Sequence, residues 1–166
     1  AENTYSIESM MQDGKSLQSG TSHYLGTHFS KAQNIKFQTK EGNLEYCHTT
    51  SWGVSTRLIG GVIMTHGDDD GLCLPPAISP HQVVIIPILR NEPEDSLIID
   101  YIKQLSNNLF NSNALGSSIR VFTEKKDIKS SESRWDWVRK GAPIIAEIGQ
   151  RDVSNNQVTY LRRDNL

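Results

Sequence analysis

Cys47 and Cys73 are the only cysteines in 166 residues, and they form no C-x-x-C pair. A disulfide framework and a four-thiolate zinc site are therefore excluded. An excess of charge of one sign is missing as well: 17 basic residues against 19 acidic ones leave a formal net charge of -2. No global positive field draws nucleic acid to such a chain, so any RNA contact must come from a local patch. The longest apolar runs, such as Val83 to Leu89, are too short to span a bilayer. The N-terminal "AENTYSIESMMQDG" lacks the basic-then-apolar order of a signal peptide. A soluble, cytoplasmic protein without a membrane partner is the expectation.

What is present divides near Pro80. Before it, "KFQTKEGNLEYCHTT" predicts two strands around a Glu41-Gly42-Asn43 turn, where glycine and asparagine tolerate positive φ. From Val54 the apolar positions Val54, Leu58, Ile59, Val62 and Ile63 recur at helical spacing and predict one buried helix face. Arg57, Gly60 and Gly61 share the opposite face, and each interior glycine costs roughly 1 kcal/mol relative to alanine. Close approach of something to that backbone is expected. After Pro80, "QVVIIPIL" predicts a buried strand, "EDSLIIDYIKQLSNNLF" an amphipathic helix and "SIRVF" a strand. "SRWDWVRKG" then predicts a short helix ending at glycine, and "PIIAEIG" and "QVTYLRR" two more strands. This alternation favours an α/β layer with a partly parallel sheet, whereas the first half reads as antiparallel.

Several motifs favour plain readings. "MMQDGKS" ends like a phosphate loop but has Ser9 where the first glycine should be, so a surface turn is favoured. "HGDDDGL" offers three adjacent aspartates, yet its spacing fails the calcium-loop pattern; a charged helix-to-strand turn is favoured and no metal site is expected. His23 within "QSGTSHYLG" and Trp52 within "SWGVSTR" each read by default as structural. Arg57 is different: its guanidinium can stack on a flat ring or pair with phosphate oxygens, beside glycines that leave room.

"LQSGTSHYLGTHFSKA" followed by "CHTTSWGVSTRLIGGVIMTHGDDDGLCLPPAISPHQVVIIPI" resembles the prolyl-tRNA synthetase family, and the arginine of "STRLIG" is similar to that of class II synthetase motif 3. "WDWVRKGAPIIAEIGQRDV" resembles the anticodon-binding domain of the same enzymes. The resemblance implies an α/β (α+β) chain. Residues 1–80 would be the C-terminal part of the catalytic domain, with a partial antiparallel sheet and the motif 3 helix. Residues 81–166 would be an α/β anticodon-binding domain with a mixed sheet, cut short at its C-terminus.

It also implies residue roles. Arg57 would be catalytic, and Gln18, Thr21, Ser55 and Arg57 would meet ATP, with Mg2+ on the nucleotide. His23, Trp52 and Gly53 resemble proline-site positions; a small apolar ring needs an aromatic wall and close backbone approach. Glu124, Lys125, Asp136, Lys140 and Arg151 would face the anticodon of tRNA(Pro). There the chain departs from the family: "FTEKKD" stands for a run of aspartates with an arginine, Gly149-Gln150 for Gly-Pro, and Ser133-Arg134 for a lysine-aromatic pair. Lysine does not reproduce arginine's two-pronged pairing with a guanine edge. Motifs 1 and 2 and the threonine-x-glutamate for proline's amine are not in these residues. A piece of a longer, homodimeric enzyme is therefore expected, inactive alone. The absence of a large editing insertion places it nearer the archaeal and eukaryotic branch. The alternative is a synthetase-derived, non-catalytic RNA-binding or regulatory protein.

Overall fold

The computed structural model describes residues 1–125 and 129–166. The chain forms two compact units, Ala1–Thr65 and His66–Leu166, with antiparallel and mixed sheets. Segment 66–80 therefore packs with the second unit, although composition breaks at Pro80.

The first unit contains β1 (Asn3–Met10), β2 (Ser16–Gly26), α1 (His28–Ala32), β3 (Lys36–Gln38), β4 (Leu44–Tyr46), β5 (Thr49–Gly53) and α2 (Arg57–His66), whose last residue lies at the unit boundary. Strands β1, β2 and β5 make an antiparallel sheet in that order, and β3–β4 is the expected hairpin, with Gly42 at φ 86°. "MMQDGKS" is a surface turn, as expected: Gly14 donates its N–H to the Met11 carbonyl at 3.0 Å, and Lys15 pairs with Asp13.

Helix α2 corrects the buried-face expectation. It starts at Arg57 rather than Val54, and no residue in it is buried. Val54, Ile59 and Ile63 are exposed at 74%, 64% and 51%, because no described part of the first unit lies over them. On the glycine face the close neighbour is Leu17, whose Cδ2 would stand 3.2 Å from a Cβ at Gly61. Nothing described lies within 4 Å of a Cβ at Gly60.

The second unit contains β6 (Gly67–Asp68), β7 (Gly71–Leu72), β8 (Val83–Pro87), α3 (Asp95–Phe110), β9 (Asn113–Ala114), β10 (Ser117–Ser118), β11 (Val121–Thr123), α4 (Ser130–Arg139), β12 (Ile144–Ile148), α5 (Gln150–Ser154) and β13 (Thr159–Arg162). Its main sheet has the order β11-β8-β12-β13, with β11, β8 and β12 parallel and β13 antiparallel. A strand covered on both faces needs apolar residues at every position. "VVII" supplies them: Val83 and Ile85 pack with Ile98 and Ile102 of α3, while Val84 and Ile86 pack with Trp137 and Val138 of α4. The four-residue step from Ile98 to Ile102 puts both on one face of α3.

The expected "SIRVF" strand is broken at Ile119 and Arg120. Ser117–Ser118 instead pairs with β9, and the Arg120 guanidinium donates to the carbonyls of Pro76, Ala77 and Ser79 at 2.8, 3.2 and 2.9 Å. Helix α5 carries no apolar period that would announce it; its start is held by the Asp152 carboxylate, which accepts the Gly149 N–H at 3.0 Å. The acidic turn is the β6–β7 hairpin. Asp68 receives a two-pronged ion pair from the Arg163 guanidinium, which also donates to the Val138 carbonyl at 2.9 Å. That hydrogen-bonded guanidinium holds the Asp68 carboxyl below its ordinary value and raises Arg163.

Candidate functional site

The first unit brings together four side chains expected at a nucleotide. Gln18, Thr21, Ser55 and Arg57, with Gly53, line one cleft of about 260 Å³. A bulge explains why Gln18 belongs there. Side chains alternate across a strand, and register shifts between the pairs Ile7–Gly20 and Glu8–Gln18, leaving Ser19 as an extra residue in β2. That extra residue turns Gln18 to the sheet face that carries Thr21, and its amide donates to the Ser6 hydroxyl at 3.2 Å. Arg57 Nη1 reaches the Gln18 carbonyl and Oε1, each at 3.4 Å, and the Ser55 hydroxyl accepts the Arg57 backbone N–H at 3.3 Å. No carboxylate pairs with Arg57 among the described residues. A cation held only by neutral acceptors is available to an anion.

The expected proline residues divide. Gly53 lines the cleft, opposite Thr21 in the sheet. His23 lies on the same face as Thr21, but its Nδ1 is 2.9 Å from the Thr4 hydroxyl and it does not line the cleft. Trp52 pairs with Ser22, one residue out of phase, and so points to the opposite face, 79% exposed. Within this unit it does not line the cleft with Gly53, because strand alternation separates neighbours.

In the second unit two crevices open beyond the carboxyl ends of the parallel strands. Strand β8 is joined to β11 on one side through α3, and β11 crosses by α4 to β12 on the other. Such a reversal of strand order leaves a crevice at the strand ends, where open α/β sheets bind ligands. One, of about 600 Å³, is lined by Glu124, Lys125, Lys129 and Ser133; the other, of about 640 Å³, by Arg90, Glu147, Arg151 and Asp152. Ile88 stands in the wall of both.

Of the expected anticodon residues, Glu124 and Lys125 thus share one crevice and Arg151 lines the other. Lys126 and Asp127 of "FTEKKD" lie outside the described residues. Asp136 pairs with Arg139 at 3.2 Å and lines neither crevice; Lys140 is held over the Trp137 ring, 4.4 Å from its centroid. Glu124 is 7% exposed and accepts the Trp137 indole N–H at 2.9 Å. In the second crevice burial works against the charged Asp152 carboxylate, but hydrogen bonds from the Gly149 N–H and the Thr159 hydroxyl outweigh it and lower its pKa. Asp95 orders the loop after β8 by accepting the N–H groups of Arg90, Asn91 and Glu92 at 3.1, 2.8 and 3.3 Å. Lys129, Arg90 and Asp95 carry no sequence signal beyond charge, and only the topology assembles them. Among the described residues no group of three or more His, Cys, Asp or Glu could hold a metal ion, and no helix is long and apolar enough to cross a membrane.

Residues 82–166 match the family of anticodon binding domains. The whole chain is similar to proteins named proline–tRNA ligase. That of Erythrobacter litoralis is 62% identical over 163 residues, covering 98% of this chain and 32% of its own length. The one from Sphingopyxis alaskensis is 57% identical over 98% of this chain and 31% of its own, and the one from Sphingomonas elodea 56% over 100% and 32%. The chain spans about a third of the length of these curated relatives.

Proposed function

The chain belongs to the family of anticodon binding domains, and from that premise we propose that it forms part of a prolyl-tRNA synthetase. Residues 1–80 would be the motif 3 end of the class II catalytic domain, and residues 81–166 the anticodon-binding domain. The parent enzyme joins L-proline to tRNA(Pro) at the expense of ATP. The observation that carries this reading is the gathering of Gln18, Thr21, Ser55 and Arg57 around one cleft.

A proline carboxylate oxygen attacks the α-phosphorus of ATP, the bond to pyrophosphate breaks, and prolyl-adenylate forms. Negative charge grows on the α-phosphate oxygens during attack. A fixed guanidinium stabilises that charge without the reorganisation that water requires, and this is the role of Arg57. Gln18, Thr21 and Ser55 offer amide and hydroxyl groups to the purine edge and ribose, which present both donors and acceptors. Mg2+ would ride on the nucleotide phosphates. Gly53 leaves space for close approach of the substrate, while His23 and Trp52 would join the proline pocket together with residues of the longer protein. A terminal ribose hydroxyl of the tRNA then attacks the prolyl carbonyl and releases AMP. Crevice residues Glu124, Lys125 and Arg151 support anticodon recognition; Asp136 and Lys140 do so less, since neither lines a crevice.

Proline-dependent ATP–pyrophosphate exchange tests the reading. The full-length protein is expected to catalyse exchange, Arg57→Ala to reduce it by roughly 10²–10³-fold, and residues 1–166 alone to show none. A full-length protein without exchange that still binds tRNA would favour the non-catalytic RNA-binding alternative.

A further inference from the structure

We infer that Trp137 is a positioning residue for anticodon recognition, acting through the carboxylate of Glu124; the inference rests on the anticodon reading of the second unit. Glu124 follows β11 directly and stands in the wall of the crevice beyond the ends of β8 and β11. A carboxylate this buried needs hydrogen bonds to stay there. One oxygen accepts the Trp137 indole N–H at 2.9 Å, and the other accepts the Lys125 backbone N–H at 2.9 Å. Two donors on opposite oxygens fix both the place and the plane of the group. A carboxylate so oriented suits an anticodon-loop base edge that presents N–H donors, since ionised Glu only accepts.

The indole is itself immobilised. It is 8% exposed, with the Phe122 ring at 5.0 Å, the His81 ring at 5.8 Å and Lys140 Nζ over its face at 4.4 Å. Filling this space requires only an aromatic ring. The N–H is the part of Trp137 that packing leaves unexplained, and its partner is the buried acid of the crevice.

The test uses the full-length synthetase and four chains: wild type, Trp137→Phe, Glu124→Ala and the double variant. Trp137→Phe keeps an aromatic ring and removes the N–H. It is expected to raise KM for tRNA about tenfold, with the effect on KM rather than on kcat. Because Trp137 acts through Glu124, the double variant should be no worse than Glu124→Ala alone. A raised KM in Glu124→Ala with an unchanged KM in Trp137→Phe would overturn the inference and spare the anticodon reading. So would a further tenfold loss in the double variant, which marks an independent packing role. An unchanged KM in Glu124→Ala would overturn the anticodon reading of Glu124 and the inference with it. If Trp137→Phe does not fold, Trp137→benzothienylalanine, which keeps the shape and replaces N–H by sulfur, is judged by the same outcomes.

Discussion

The two units treat their apolar residues in opposite ways. In the second, Val84, Ile85, Ile145 and Ile148 are fully buried between helices on both faces of one sheet. In the first, among the described residues, Met11 is the one apolar side chain that is buried, while Tyr5, Ile7, Trp52 and Val54 stand 70%, 68%, 79% and 74% exposed. Both sequences carry apolar runs or helix faces that call for cover. The difference is that α3 and α4 cover both faces of their own sheet, whereas in Ala1–Thr65 α1 and the glycine face of α2 meet only β2, and the exposed apolar positions of β1, β5 and α2 face no described element of the unit. Periodicity shows that a face is apolar; it does not name what covers it.

Separating the units gives the largest expected effect. Residues 66–166 should unfold cooperatively in urea, followed by circular dichroism, and residues 1–65 should show no cooperative transition. A sharp transition in 1–65 would abolish the contrast. Within the whole chain, Ile145→Ala should cost about 2–5 kcal/mol in urea unfolding, against no more than about 0.5 kcal/mol for Ile59→Ala on the exposed face of α2. Equal costs would mean that Ile59 is covered in solution.

A smaller effect is expected at Asp68. Its carboxyl is held below the ordinary value of 3.8 by the Arg163 guanidinium. The stabilisation is therefore present above that ordinary value and is lost as pH falls through the lowered one. Asp68→Asn should lower the melting temperature near neutral pH and flatten the acid-side fall of the wild type. Parallel acid limbs in the two chains would remove this pair from the second unit's stability. The smallest effect is expected of Arg57→Ala, whose melting temperature should match the wild type, because the guanidinium meets only neutral acceptors at 3.4 Å. A shift of several degrees would give Arg57 a structural role that the first unit does not display.

Local pattern was enough for much of this fold. "QVVIIPIL" read as an apolar strand, Gly42 marked the β3–β4 turn, and Gly141, at φ 77°, ended α4 as expected. What escaped depends on partners distant in sequence. Asp68 and Arg163 are 95 residues apart, and nothing near either announces the other. The Ser19 bulge, which turns Gln18 toward Thr21, is a matter of register between strands. Strand alternation puts Trp52 and Gly53 on opposite faces of β5, although the motif joins them. Arg57, Gln18, Thr21 and Ser55 were legible as a set through resemblance; their shared cleft required the sheet.

Gly71 and Gly141 give the second unit a practical boundary for anyone exchanging parts between related proteins. At φ 120°, Gly71 lies so close to α4 that a Cβ there would sit 2.5 Å from the Arg139 carbonyl oxygen. A Cβ at Gly141 would sit 2.7 Å from Leu72. The β6–β7 hairpin and the end of α4 are thus one interlocked piece, and a graft begun at Pro80 would discard half of it together with the carboxylate that neutralises Arg163. A crossover placed at His66 would carry the whole interlock into the new host.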